Sequence, residues 1–293
     1  MKKRLVLLTG ATGFLGSRIL EALKNENYSI IALKRSSSSL WRINHIIGNV
    51  QSYDLDKTTL DSIFKKQKID CVIHTACEYG RKDNQTAEVI KTNLILGLEI
   101  LDACLKFKTS TFINTDTLLQ KNLNDYSLSK KQFSEWLKFK SNLIQVINLK
   151  IELMYGPKDD ESKLIPSVLS GLHQNTPEIK LTNGEQKRDF IFVDDVVSAC
   201  MKTLEKSENL SKFNEFEIGT GKSLKLKFFL DELKKTYELN FGKTRTKFIY
   251  GAISHRQEEL MNIQINNKPL IDLGWLPKID INFGIKKILE GKF

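Results

Sequence analysis

Short apolar runs alternate with amphipathic segments along the first half of the chain. The apolar runs predict five β-strands, at Leu5–Leu8, Ile30–Leu33, Cys71–His74, Thr111–Thr115 and Gln145–Leu149. Between them the spacing predicts four helices, at Ser17–Asn25, Leu60–Gln67, Ala87–Lys106 and Ser127–Phe139. Strands that alternate with helices are typical of βαβ units, since a parallel pair needs a crossover connection. The pattern therefore predicts an α/β fold built on a doubly wound parallel sheet.

The pattern loosens after about residue 150. Loops surround Tyr155-Gly156-Pro157, and the remaining runs predict helices at Lys163–Leu172, Lys225–Tyr237 and Asn282–Leu289 and a sixth strand at Phe190–Val193. We find no flexible linker, so we expect the second half to pack over the carboxyl edge of the sheet. The predicted sheet domain comprises residues 1–150 plus about 189–220, and a smaller C-terminal domain comprises 151–188 plus about 221–293.

Charge and cysteine content exclude several classes of protein. The net charge is +10, but the lysines are spread without a basic arm or aromatic interleaving, so we expect no nucleic-acid partner. The cysteines form no Cys-x-x-Cys pair, which predicts reduced thiols in the cytoplasm and no metal site. The apolar run after Arg4 ends within four residues, and no run is long enough for a membrane helix.

A glycine-rich turn follows the first predicted strand. The chain reads Gly10-x-x-Gly13-x-x-Gly16 and then enters a helix, which is the order of elements that a dinucleotide-binding βα unit requires. Glycine permits a tight turn and lets the backbone approach a pyrophosphate, which then binds the N–H groups of the helix terminus. The sequence thus predicts a Rossmann domain with a bound dinucleotide.

The end of the second strand indicates which dinucleotide is bound. An NAD-binding fold usually presents a carboxylate to the ribose there, whereas this chain has Lys34, Arg35 and Ser36 and no carboxylate at hand. Cations and hydroxyls suit the additional phosphate of NADP, so the sequence favours NADP over NAD. Asp54-Leu55 follows the next short strand and is a candidate for the adenine.

Tyr126 and Lys130 form a second constellation, one helical turn apart and on one helix face. A Tyr-x-x-x-Lys pair is common, but here it follows a dinucleotide loop and Thr115-Asp116-Thr117 at a strand end, which makes it a candidate proton-transfer site. To act near pH 7 the tyrosine pKa of about 10 must fall by roughly three units. A nearby ammonium supplies an interaction of that order.

These features resemble the extended short-chain dehydrogenase/reductases of the NAD-dependent epimerase/dehydratase family, over nearly the whole chain. The resemblance rests on the glycine turn, His74-Thr75-Ala76, Tyr155-Gly156-Pro157 and the run from Arg188 to Asp195. It implies that Tyr126 is the general acid/base, that Lys130 binds the nicotinamide ribose, and that Thr115 or Thr117 bonds the sugar oxygen. It implies cofactor contacts at Gly10, Thr12, Gly13, Phe14, Leu15, Gly16, Lys34, Arg35, Ser36, Asp54, Leu55, Thr75, Ala76, Asn93, Tyr126 and Lys130.

The same resemblance implies a nucleotide-sugar substrate. Arg188, Arg256 and Glu259 match positions that hold the diphosphate and ribose in relatives, and Leu164 and Leu181 fall where the base is contacted. The segment Cys77-Glu78-Tyr79-Gly80-Arg81 is similar to that of CDP-paratose and CDP-abequose synthases, which implies substrate contacts at Tyr79 and Arg81. Relatives of this kind reduce a 4-keto group with NADPH, and their products enter surface polysaccharide, including lipopolysaccharide.

Two alternatives to a reductase stay open from the sequence. An NAD-dependent nucleotide-sugar 4-epimerase would share these motifs, and so would a catalytically silent protein that senses NADP(H). A sugar dehydratase fits less well, because Asp116 is followed by Thr117 where dehydratases carry a second carboxylate. Helices Ala87–Lys106 and Ser127–Phe139 form a dimer interface in many relatives, so the sequence also leaves a homodimer open.

Overall fold

The structure, a computed structural model, describes residues 3–80, 85–255 and 259–291. The chain forms two compact units, each built from segments that are distant in sequence. The first unit comprises Met1–Ile151, Val197–Glu217 and Asp272–Trp275. The second unit comprises Glu152–Val196, Ile218–Ile271 and Leu276–Phe293.

The strands carry most of the architecture. They are β1 (Leu5–Thr9), β2 (Ser29–Lys34), β3 (Gln51–Asp54), β4 (Cys71–His74), β5 (Thr111–Thr117), β6 (Gln145–Ile151), β7 (Leu153–Tyr155), β8 (Glu178–Leu181), β9 (Lys187–Arg188), β10 (Phe190–Phe192), β11 (Phe213–Ile218), β12 (Leu224–Lys225) and β13 (Lys247–Tyr250). Seven of them form the sheet of the first unit in the order β11-β6-β5-β4-β1-β2-β3, and the ladders from β3 to β6 are parallel. The strand order reverses between β1 and β4, where sheets of this kind bind ligands at their carboxyl ends.

The helices are α1 (Phe14–Asn25), α2 (Asn44–Ile47), α3 (Leu60–Lys66), α4 (Thr86–Ile90), α5 (Leu96–Lys106), α6 (Asp125–Lys140), α7 (Leu164–His173), α8 (Val193–Glu205), α9 (Leu226–Phe241), α10 (Lys268–Asp272) and α11 (Ile281–Glu290). Every residue of β1 and β4 is buried, as expected for central strands covered on both faces. The core on one face includes Val72, Phe112 and Phe133, all fully buried. The first unit therefore has the Rossmann-like doubly wound α/β sheet that the sequence predicts.

Two sequence predictions need correction. The predicted sixth strand forms as β10, but it pairs with β7 in a separate ladder instead of joining the main sheet. The two edge strands of the main sheet are β3 and β11. Their sequences, QSYD and FNEFEI, have no continuous apolar run, since an edge strand is less buried than a central one. The predicted helix Ala87–Lys106 is divided by a π-helical segment, Lys91–Ile95.

The helices of the described residues include none that is both long and apolar enough to cross a membrane. Within the same residues, no group of three His, Cys, Asp or Glu side chains is arranged to hold a metal ion.

Candidate active site

The turn between β1 and α1 excludes any side chain at two of its three glycines. Gly10 has a φ of +68°, and a Cβ there would lie 2.7 Å from the backbone nitrogen of Ala76. A Cβ on Gly16 would overlap the carbonyl oxygen of Gly10. Gly13 occupies the N-cap of α1 without a side-chain capping bond, and the N-terminus of a helix is a general site for binding anions. This cradle fits the pyrophosphate of a dinucleotide, with Thr12, Phe14 and Leu15 on the same turn.

The ends of β1 and β4 are joined behind this turn. Thr75 and Ala76 each donate an N–H to the Thr9 hydroxyl at 3.2 Å, and the Thr75 hydroxyl donates to the Thr9 carbonyl at 2.7 Å. Since two N–H groups fill its acceptor sites, the Thr9 hydroxyl donates to His74 Nδ1, 2.9 Å away. The His74 ring therefore carries its proton on Nε2. Thr75 and Ala76, for which the resemblance implies cofactor contacts, thus lie against the glycine turn.

His74 itself is a neutral core residue. Its side chain is fully buried, and Nε2 has no hydrogen-bond partner among the described residues. Burial, and next the charge of Lys130, lower the pKa of His74 to about 3. The ring instead packs edge-on against Phe133, with ring centroids 5.5 Å apart. His74 consequently orders the carboxyl end of β4 and does not act as an acid or base.

Two carboxylates meet the basic loop after β2, which corrects the expectation that none is at hand. Lys34 and Asp54 are register partners on β2 and β3, and their side chains form an ion pair. Ser36 donates its N–H to Asp56 at 2.7 Å and donates its hydroxyl to the same carboxylate. Arg35 is exposed, and its guanidinium forms no ion pair or hydrogen bond with the described residues. Lys34 and Ser36 are thus bonded to carboxylates, whereas the guanidinium of Arg35, the third predicted phosphate ligand, is not.

Helix α6 presents the candidate acid/base. Asn124 caps the helix, accepting the Ser127 N–H at 2.8 Å, while the Ser127 hydroxyl accepts the Asn124 N–H at 3.2 Å. This capping box makes the helix begin at Asp125, one residue before Tyr126. The Tyr126 ring stacks on Tyr79, with centroids 4.8 Å apart. The structure therefore brings a predicted substrate residue into contact with the predicted catalytic tyrosine.

Lys130 lies one turn further along the same helix and is almost fully buried. Only 1% of its surface is exposed, and Nζ has no hydrogen-bond partner among the described residues. Burial lowers the pKa of Lys130, while Cys77 and Asp116 oppose this effect and Lys131 adds to it. A buried ammonium without a partner is costly unless a ligand completes it. The ribose hydroxyls of a nicotinamide nucleotide are acceptors that could complete it.

Asn93 lies in the π-helical segment and connects the segment after β4 to α6. Its side-chain oxygen accepts the Glu78 N–H at 2.7 Å, and its amide donates to the Glu78 carbonyl at 2.8 Å and to the Ser129 hydroxyl at 3.0 Å. The Ser129 hydroxyl donates in turn to the Tyr126 carbonyl at 3.0 Å. The resemblance implies that Asn93 contacts the cofactor, which stays a prediction. The structure shows it supporting the helix that carries Tyr126.

Thr115 and Thr117 end β5 on one side of the strand, and both hydroxyls have a protein partner. Thr115 donates to the His74 carbonyl at 3.1 Å, and Thr117 accepts the Leu119 N–H at 3.2 Å. Asp116 between them is turned away, and its carboxylate lies 3.2 Å from Lys131 Nζ. Residue spacing could not reveal this last pair, because it joins a strand to a helix.

Most of the remaining predicted substrate residues belong to the second unit. Arg188 is buried and forms an ion pair with Glu259, and it donates to the Leu260 carbonyl at 2.6 Å. Two residues predicted to contact the substrate therefore bind each other. Leu181 is buried on β8, whereas Leu164 is exposed at the start of α7. Arg81 and Arg256 lie outside the described residues.

The sequence matches a known family and two proteins of known name over most of its length. Residues 6–219 match the family model described as the NAD dependent epimerase/dehydratase family. CDP-abequose synthase of Salmonella typhimurium is 34% identical, covering 98% of this chain and 98% of that protein. CDP-abequose synthase of Salmonella muenchen is 36% identical, covering 98% of this chain and 97% of that protein.

A solved structure shares the fold. UDP-glucose 4-epimerase of Thermotoga maritima, crystallised with UDP-glucose, superimposes with a TM-score of 0.84 over 98% of each chain. Its sequence is 23% identical to this one, so the likeness concerns the fold alone.

Proposed function

The chain belongs to the NAD dependent epimerase/dehydratase family of enzymes, and on that premise we propose that it is an NADPH-dependent nucleotide-sugar ketoreductase. The proposed substrate is a CDP-4-keto-3,6-dideoxyhexose, and the reaction reduces its 4-keto group for surface polysaccharide synthesis. The observation that carries the proposal is the 34–36% identity, over almost the whole chain, to two proteins named CDP-abequose synthase. Those relatives span the chain from the glycine turn to the C-terminal helix.

The residues of the first unit support a proton-coupled reduction. Bound NADPH would supply the hydride. Tyr126 would protonate the ketone oxygen, Lys130 would bind the ribose hydroxyls and favour ionisation of Tyr126, and Thr115 or Thr117 would orient the oxygen. Lys130 Nζ is suited to this role because it is buried and has no hydrogen-bond partner among the described residues. Tyr79, stacked on Tyr126, would limit how the sugar ring enters.

Dehydration is not part of the proposal. A dehydratase needs a carboxyl group that can protonate a leaving hydroxyl, and the Asp116 carboxylate is engaged with Lys131 and with the N–H of Thr117. No second acidic residue follows it, since the next position is Thr117.

A second candidate is an NAD-dependent 4-epimerase, and one observation favours it. The ion pair between Lys34 and Asp54 removes one of the cations expected to bind the NADP phosphate. Arg35 then carries the preference for NADP alone. An epimerase would retain its cofactor through purification and would interconvert two sugar nucleotides without added NADPH.

The test follows absorbance at 340 nm with purified enzyme, a CDP-4-keto-3,6-dideoxyhexose generated in place, and NADPH or NADH in parallel. We expect rapid loss with NADPH, slower loss with NADH, and none with Tyr126→Phe, which should still bind NADPH. Loss of NADPH at the wild-type rate in Tyr126→Phe would contradict the assigned role. No loss with wild-type enzyme that binds NADPH would contradict the proposed substrate.

A further inference from the structure

A polar cluster lies between β5, β6 and α6 on the side of the sheet that α6 covers. The Asp116 cluster, as we name it, consists of Asn114, Asp116, Lys131, Asn148 and Glu215. Asp116 accepts the Thr117 N–H at 2.7 Å, Lys131 Nζ at 3.2 Å and the Asn148 amide at 3.1 Å. Asn148 bonds Glu215 at 3.1 Å and accepts from Asn114 at 2.8 Å.

This cluster is buried where an apolar contact would be expected. Asn114 and Asn148 are fully buried, and the Asp116 side chain has no exposed surface. The same sheet face is apolar one register step earlier, at Phe112 and Val146, which belong to the main core. Burying a charge is costly unless it is paired and hydrogen-bonded, so the loss of one partner from such a cluster leaves the other charge unbalanced.

The cluster ties the elements of the candidate active site together. Lys131 is next to Lys130 on α6, and its Nζ also donates to the Thr117 carbonyl on β5. Asp116 separates Thr115 from Thr117 and holds the Thr117 N–H. The pair therefore connects the helix that bears Tyr126 to the strand that bears the two threonines.

We propose that Asp116 and Lys131 are positioning residues: the ion pair between the buried Asp116 carboxylate and the partly buried Lys131 holds α6 against β5 and balances the charge around Lys130. This inference rests on the cofactor role proposed for Lys130. Asp116 acts through Lys131 and the Thr117 backbone and is not an acid toward the sugar, because both of its oxygens accept protein N–H groups.

The charges that act on Lys130 come from each element around it. Asp116 on β5 raises the pKa of Lys130, Lys131 on α6 lowers it, and the Cys77 thiol, beyond β4, raises it when ionised. His74 on β4 is kept neutral by burial. Asp116 and Lys131 are thus opposed, and removing one leaves the other uncompensated.

Because Asp116 and Lys131 shift the pKa of Lys130 in opposite directions, NADPH binding alone can test the inference. NADPH affinity, measured by nicotinamide fluorescence from about pH 7 to about pH 10, should fall as Lys130 loses its proton. In Asp116→Asn the fall should move to lower pH, since Lys131 then acts alone. In Lys131→Met it should move to higher pH, since Asp116 then acts alone. We expect each displacement to be about one pH unit, and the double variant to lie close to the wild type.

Structural damage would not move the pH midpoint of NADPH binding in opposite directions in Asp116→Asn and Lys131→Met. Displacement of both variants in one direction, or of neither, overturns the inference. If Asp116→Asn does not fold, Lys131→Met decides alone, because the Lys131 side chain is 17% exposed and its replacement should be tolerated. An upward displacement of its midpoint supports the inference, and an unchanged midpoint refutes it. Lys150→Met is the matched control, since it removes a cation that pairs with Glu215 at the edge of the cluster, and its midpoint should stay at the wild-type value.

Failure of the proposed reaction gives a different result. An enzyme that binds NADPH with these displacements but does not consume it with the keto sugar would refute the substrate and leave the positioning role standing.

Discussion

The buried imidazole of His74 should make the stability of this protein depend on pH in a predictable way. The ring is fully buried and neutral, and its pKa is lowered from an ordinary value of 6.5 to about 3. Below pH 6.5 the unfolded chain binds a proton at His74, whereas the folded chain does not. The stabilisation is therefore complete above pH 6.5 and is lost as the pH falls from 6.5 toward 3.

The magnitude follows from the proton linkage. Each pH unit below the unfolded-state pKa costs about 1.4 kcal/mol, so a fall from neutral pH to about pH 5 should remove about 2 kcal/mol of unfolding free energy through His74. Since domains of this kind are stable by about 5–15 kcal/mol, this loss is readily measured.

Urea unfolding at about pH 7.5 and about pH 5 tests this expectation. His74→Asn keeps an acceptor for the Thr9 hydroxyl but cannot titrate, so it should lose about 2 kcal/mol less than the wild type between the two pH values. His45→Asn removes an exposed histidine and controls for the loss of one imidazole. Equal pH dependence in the wild type and His74→Asn would refute the reasoning.

Three further expectations concern the cofactor cradle and the second unit. Gly16→Ala should destabilise the protein by about 1–3 kcal/mol and weaken NADPH binding, because its Cβ meets the Gly10 carbonyl. Gly48→Ala is the control: its Cβ points into open space, so thermal unfolding should show a neutral or slightly stabilising change. Equal effects of the two substitutions would contradict this expectation. Arg35→Ala should raise the dissociation constant for NADPH about tenfold and that for NADH much less, and equal changes would exclude a phosphate contact. Tyr155→Phe should leave the unfolding free energy unchanged or raise it by about 1 kcal/mol, because the buried hydroxyl has no partner among the described residues, and a large loss would show an unrecognised bond.

The loop after β2 shows what residue spacing can and cannot predict. The run Lys34-Arg35-Ser36 predicts a cationic phosphate site when it is considered in isolation. In the fold, the parallel register of β2 and β3 places Asp54 beside Lys34 and brings Asp56 to Ser36. Local charge is thus set by a strand some twenty residues away, which the local sequence does not reveal.

Features that depend on a few consecutive residues could be predicted from the sequence. The glycine turn is required by local backbone geometry, and the Tyr126–Lys130 spacing places both side chains on one helix face wherever that helix lies. The central strands were predicted correctly, because strands buried on both faces are continuously apolar. The edge strand β11 was missed, because exposure on one side removes that signal.

Contacts between distant segments were decided by the tertiary structure alone. The pairing of Asp116 with Lys131 depends on how α6 packs on β5, the bond to Asn148 depends on the register of β6, and the stacking of Tyr79 on Tyr126 joins a loop to a helix. The sequence by itself determined the glycine-rich turn and the helix that carries the tyrosine and lysine. Which charges surround that lysine was determined only by folding, since electrostatic interactions depend on distance in space and not on separation along the chain.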